Sequence, residues 1–178
     1  MSELLFNELP RPTFRWLRVN HTVSSLAGED TAVQSIAVEA NKDILSPLPV
    51  GTALLDGNYE GANKEAVHVL VEKAEGYAIN VPPKAKEVVG IRIDANARVA
   101  NRFQFIVGEG AELEVQFYVT GSGDALTNVS YLNEYDVKEA GKVVVKKVNL
   151  LPEHVQHIEH RYTKLEEKAD VEYINIEI

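Results

Sequence analysis

Three short stretches decide the fold: Gly110-Ala111-Glu112-Leu113-Glu114-Val115, Ala140-Gly141-Lys142-Val143-Val144-Val145 and Lys168-Ala169-Asp170-Val171-Glu172-Tyr173. Each sets a small residue before a charge, and the charge before an apolar-x-apolar start. The leading apolar positions, Leu113, Val143 and Val171, lie 30 and 28 residues apart. A near-constant interval of this size, with strand-like content in each copy, predicts successive coils of a solenoid.

Around these stretches the alternation of a half-buried strand recurs from residue 66 onward. Val67, Val69 and Val71 alternate with His68, Leu70 and Glu72. There follow YAINV (77–81), VVGIRI (88–93), RFQFIV (102–107), LEVQFYV (113–119), TNVSYLNEYDV (127–137), VVVKKVNL (143–150), QHIEHRYTKL (156–165) and VEYINIEI (171–178). Polar, glycine-bearing turns separate them. The 23 Val and 10 Ile against 16 Leu favour strands, because β-branched side chains fit a pleated surface at least rotamer cost. Asp56-Gly57 is the one Asn-Gly or Asp-Gly hairpin dipeptide in the chain, so coiled strands are favoured over a meander.

The chain divides into residues 1–65, a mixed N-terminal segment, and residues 66–178, the β-helix core. Within the first part, Pro12 or Thr13 starts a short helical docking turn with Phe14 and Leu17 on one face, Trp16 beside them and Arg15 and Arg18 outward. Segment 31–40 fits a strand and a short helix equally.

The 178 residues carry 18 basic and 27 acidic side chains, a formal charge of −9 that opposes a nucleic-acid backbone. Zero cysteines exclude a disulfide framework, a thiolate metal site and a cysteine nucleophile. No apolar run approaches the roughly 20 residues of a membrane helix. The acidic start MSELLFNELP has no basic n-region of a secretory signal. A cytoplasmic protein is expected.

Candidate chemical groups are few. His154, His157 and His160 fall in one stretch, but on a strand His157 faces opposite to the other two, and on a helix the three spread over about 120°. A shared metal site is therefore not expected. His68 reads as a partly buried histidine in a Val-rich strand, and His21 as a capping or packing group beside the aromatic segment. Gly108-Glu109-Gly110 and Gly121-Ser122-Gly123 open like phosphate loops but do not continue to a third glycine or a Gly-Lys-Ser/Thr, and read as turns. Lys146-Lys147 and Glu166-Glu167-Lys168 read as solvated edges. Phe103, Phe105, Phe117 and Tyr118 read as core or interface residues. Catalytic residues are not expected, and neither is a metal site.

Two blocks carry a family resemblance. NELPRPTFRWLRVN (7–20) resembles the "LP-x-P-T-aromatic-x-W-L-x-x-N" start of SufD-like proteins. FIVGEGAELEVQFYVTGSG (105–123) and the stretch from Leu126 to Ile178 look like the core of the SufB/SufD family of iron-sulfur cluster assembly, in which a "V-G-E-G-A-x-L" turn precedes a strand. The resemblance implies a right-handed parallel β-helix and a non-enzymatic scaffold role. It also implies a SufC-type ATPase and a SufB/SufD-like chain as partners, and a cluster handled by the complex rather than bound by this chain. Family members are longer, so the chain reads as an N-terminal part or short paralogue, and no family site residue is carried onto it. The strand Val171–Ile178 is expected to leave an open edge for self-association. The residues alone also fit a self-assembling structural solenoid or a carbohydrate-binding β module.

Overall fold

The computed structural model describes residues 3–6, 22–25, 36–60, 63–95, 99–121 and 127–178. Strands β1 (Glu3–Phe6) and β2 (Thr22–Ser25) form an antiparallel pair. The docking turn read over residues 12–17, and His21, lie outside the described residues.

Ten further strands build two five-stranded sheets. The first holds β3 (Ile36–Glu39), β6 (Lys86–Asp94), β8 (Glu112–Thr120), β10 (Lys142–Leu150) and β12 (Asp170–Glu177), in the order β12-β10-β8-β6-β3. The second holds β4 (Leu45–Leu48), β5 (Gly76–Val81), β7 (Val99–Val107), β9 (Thr127–Val137) and β11 (Val155–Leu165), in the order β11-β9-β7-β5-β4. Each coil runs along the second sheet, turns, and returns along the first. Within a sheet the coil strands are parallel, while β3 and β4 pair antiparallel on β6 and β5 and close one end of both sheets. The result is a parallel β-solenoid of about three turns.

The register follows the sequence repeat. Leu113 pairs with Val143 and Val143 with Val171, so the three quoted stretches stand in line across the first sheet. Lys86 pairs with Glu112, extending the line by a coil that the repeat had not revealed. The segment that fitted two states, 31–40, is strand over Ile36–Glu39, with Ile36 and Val38 turned to the core.

Four stacked turns hold the coils in register. Pro82–Ala85, 108–111, 138–141 and 166–169 each close with an i to i+3 bond from Ala85, Ala111, Gly141 and Ala169 to Pro82, Gly108, Lys138 and Glu166. The third residue of each turn, Lys84, Gly110, Ala140 and Lys168, has φ between 56° and 62°, as a type II turn demands. Each of the first three also donates its N–H to the turn above: Lys84 to Glu109, Gly110 to Glu139, Ala140 to Glu167. The Gly108-Glu109-Gly110 reading as a turn holds.

One expectation is overturned. Residues 66–72 are not a strand: Lys64–Lys73 is the helix α1. Asn63 caps it, its Oδ1 accepting the N–H of Ala66 at 2.9 Å, and Glu65 and Lys73 suit the two ends of the helix dipole. Val67 and Leu70, with Ala74 just beyond, share one face and pack on Leu132 and Ala100 of the second sheet. In so uniformly apolar a run, period 2 and period 3.6 fit the same residues.

α1 and the segment before it cover the outer face of the second sheet, so β7 and β9 are buried on both faces. A fully buried ion pair pins that cover. Arg102 Nη2 meets Glu134 Oε2 at 3.0 Å, with both side chains at 1% exposure or less. Arg102 Nη1 donates to the Thr52 carbonyl (2.7 Å), Gln104 Nε2 to the Ala53 carbonyl (3.0 Å), and the Leu55 N–H to Glu134 Oε1 (2.7 Å). The last three contacts join strands to the strap at 52–55, and with the Gln104 bond to Glu134 they make two buried charges tolerable.

Candidate functional site at the polar end of the lumen

The interior of the solenoid changes character along its axis. In the first coils the inward columns are apolar: Ile91 and Phe117, Ile93 and Val119, Tyr77 and Phe103, Val99 and Val129. The same columns then continue as Lys147 and Asn175, Asn149 and Glu177, Asn133 and Arg161, and His157. The last two coils therefore form a polar chamber above an aromatic floor, open to solvent where Asn175 and Glu177 are exposed. Phe103, Phe117 and Tyr131 form that floor, with ring centroids 5.7 to 6.4 Å apart.

Glu159 organises the chamber. Lys147 Nζ reaches its Oε2 at 2.7 Å from the opposite sheet, Arg161 contacts both oxygens at 2.8 and 3.1 Å, and Asn133 Nδ2 donates to Oε1 at 2.9 Å. The Arg161 guanidinium also lies over the Tyr173 ring, 4.7 Å from its centroid. Burial alone raises the pKa of Glu159, but the contacts with Arg161 and Lys147 outweigh it and hold the carboxyl below its ordinary value.

His157 stands beside this network. Its Nδ1 is 3.4 Å from Asn149 Nδ2, a donor, and its Nε2 is 3.1 Å from the Tyr131 hydroxyl. The ring's pKa falls to about 4, first because it is buried and then because Lys147 is near, so it is neutral at pH 7. A neutral ring that accepts at Nδ1 carries its proton on Nε2 and donates it to the Tyr131 oxygen. Burial likewise pushes the Tyr131 hydroxyl far above its ordinary pKa.

Chemically the chamber offers one carboxylate shared by two cations, a neutral imidazole on a phenol, and amide oxygens with capacity to spare. Oδ1 of Asn133 and of Asn149 is buried and meets no donor among the described residues.

The structure sorts the histidines as strand parity requires. His157 faces the lumen, and His160 faces the other way, 2% exposed, with its pKa lowered by burial to about 4. His154 lies in the turn before β11. Among the described residues no three His, Cys, Asp or Glu side chains come together as a metal-binding group.

His68 is not a buried strand histidine. It lies on α1 with a largely exposed side chain, 3.2 Å from Glu72. Lys147 is not a solvated edge residue either: it is 4% exposed and paired, while Lys146 beside it points outward to Glu114. Phe103, Phe105 and Phe117 are core, whereas Tyr118 is turned out and 44% exposed.

The grouping of His157, Glu159 and Arg161 was missed in the sequence. Their common parity in VQHIEHRY, in line with Val129, Tyr131 and Asn133, was the available signal. No helix among the described residues is long and apolar enough to cross a membrane. No protein-family model, curated protein or solved structure matches the chain.

Proposed function

We propose that the chain is a scaffold component of an iron-sulfur cluster assembly system of the SUF type, a SufB/SufD-like partner of a SufC-type ATPase, acting in the cytoplasm. The observation that supports this reading is the register of Leu113, Val143 and Val171 across one sheet. It gives the coil architecture that the resemblance of residues 105–178 implies.

With no thiol of its own, the chain supplies shape and docking edges, and the sulfur ligands of a nascent cluster come from a partner. ATP hydrolysis belongs to the ATPase. The outer edges of β11 and β12 are the places where a further strand, from a SufB/SufD-like chain or a second copy, would add by backbone pairing.

Co-expression with a SufC-type ATPase and a SufB-like chain, followed by affinity purification through this chain, tests the reading. A stoichiometric complex is expected. Recovery of this chain without either partner would count decisively against it.

A further inference from the structure

The second half of β12 reverses the usual inside-outside pattern, which its first half keeps with Val171 and Tyr173 inward. On β8 the residues facing the lumen are Leu113, Val115, Phe117 and Val119, all buried. On β12, in line with them by pairing through β10, Asn175 and Glu177 face the lumen, while Ile174 and Ile176 point outward at 41% and 49% exposure. The outward rows change accordingly along the axis, from Gly90 through Gln116 and Lys146 to Ile174, and from Arg92 through Tyr118 and Val148 to Ile176. A coil stacked on the edge of β12 pairs with its backbone and leaves this outer face uncovered.

At the other end of the same face Gly90 leaves a hollow. The depression, about 480 Å³, is lined by Glu39, Gly90, Arg92, Gln116, Tyr118 and Val148 among others. The sheet thus offers aliphatic knobs on β12 and a hollow that begins at Gly90, at the same position along the strand, and reaches across β8 to Lys146 and Val148 on β10.

From this we infer that the outer face of the first sheet binds a second copy of this chain, related by a two-fold axis parallel to the strands. That operation sets β6 against β12 and β8 against β10 of the second copy, and the contact is isologous. Ile174 of each copy enters the Gly90 hollow of the other, Tyr118 meets Val148, and Ile176 lies along the stem of Arg92.

The charges at the strand starts agree. The row Lys86, Glu112, Lys142, Asp170 read against its own reverse puts Lys86 opposite Asp170 and Glu112 opposite Lys142, opposite signs at every position. The opposite orientation, with the axis along the solenoid, loses this match. Four strands of about nine residues make a face of roughly 600 Å² at ordinary strand spacing. That reaches the lower range, about 600 Å² per partner, of specific interfaces.

Sedimentation equilibrium of the full chain tests the inference, with Gly90→Gln and Ile174→Lys as the two face variants. A Cβ at Gly90 meets only Glu39, at 3.6 Å, and φ there is not in the left-handed region, so the first variant folds. Wild type is expected to dimerise, and each variant to raise the dissociation constant at least about tenfold, the scale of one lost interface contact. Asp170→Lys weakens the dimer, and Lys86→Glu added to it restores binding.

A strictly monomeric wild type overturns the proposal. So does a dimer that Gly90→Gln leaves intact, since Gly90 is three strands from the β12 edge and an edge-to-edge dimer does not touch it. Retention of the SufC-type complex by Gly90→Gln separates this surface from the scaffold reading, on which it does not depend.

Discussion

Lys147 and Glu159, on opposite sheets, meet at 2.7 Å inside the solenoid with side chains only 4% and 8% exposed. Arg161 takes a share of the same carboxylate, so removing the carboxylate and removing Lys147 are not equivalent. Glu159→Gln strands Lys147, and a buried charge left without its partner costs about 3–5 kcal/mol. Lys147→Met leaves Glu159 held by Arg161 and Asn133, with an expected loss of about 1 kcal/mol. Urea unfolding of the two variants checks this; equal losses would refute the shared-carboxylate arrangement.

Acid sensitivity follows from the two buried histidines. His157 and His160 have folded pKa values of about 4 against 6.5 for the free side chain, so between those values the unfolded chain binds protons that the native one refuses. Their stabilising contribution is complete above pH 6.5 and is lost as the pH falls toward 4. At pH 5 the loss is about 2 kcal/mol per histidine. Glu159, held below its ordinary value, adds a loss of the same sign at lower pH. The groups acting on His157 are Lys147, Arg161, Glu159 and Glu177, and on His160 Glu159. Thermal unfolding at pH 7 and pH 5 is expected to show the drop, and the His157→Gln, His160→Gln double variant to flatten it. An unchanged slope in that variant would sink the assignment.

Gly76 is required by a backbone, not by a turn. A Cβ at this position would lie 1.9 Å from the Arg102 carbonyl oxygen on the neighbouring strand. Neither atom can move without separating β5 from β7. Gly76→Ala is expected to cost about 3 kcal/mol or more, read as a lower midpoint in denaturant, whereas Gly57→Ala, with nothing within 4 Å, stays within about 0.5 kcal/mol of wild type.

The turn ladder makes a paired prediction. Ala140 sits at φ 56° where the turn below has Gly110 at 61°, and a side chain in the left-handed region costs about 1–2 kcal/mol. Ala140→Gly relieves that strain, less the added freedom of the unfolded chain, for a net gain of about 0.5–1 kcal/mol. Gly110→Ala loses about 1 kcal/mol. Opposite signs in one urea series are the expected result; a loss at both positions would contradict the shared geometry.

The repeat at Leu113, Val143 and Val171 was legible because coil length and strand alternation are both periodic, and each coil must place the same residue type over the same column. The turn at 108–111 was legible from its two glycines, whereas the equivalent turns with Lys84, Ala140 and Lys168 at the same φ carry no such mark. The sequence by itself therefore pointed to the solenoid and to the register of the coils that carry Leu113, Val143 and Val171.

Tertiary structure decided the rest. The run at 67–71 became a helix because its Val67 and Leu70 face could cover Leu132, a partner 60 residues away that no local window sees. Lys147 went inside and Lys146 outside by strand parity alone, but burial of Lys147 is tolerable only because Glu159 waits on the opposite sheet. On β12 Val171 and Tyr173 face in but Ile174 and Ile176 face out, since register with β10 fixes which side is inward regardless of hydrophobicity. Pairing between distant segments sets the surroundings of a charge, and those surroundings, not the residue type, decide whether it is surface or site.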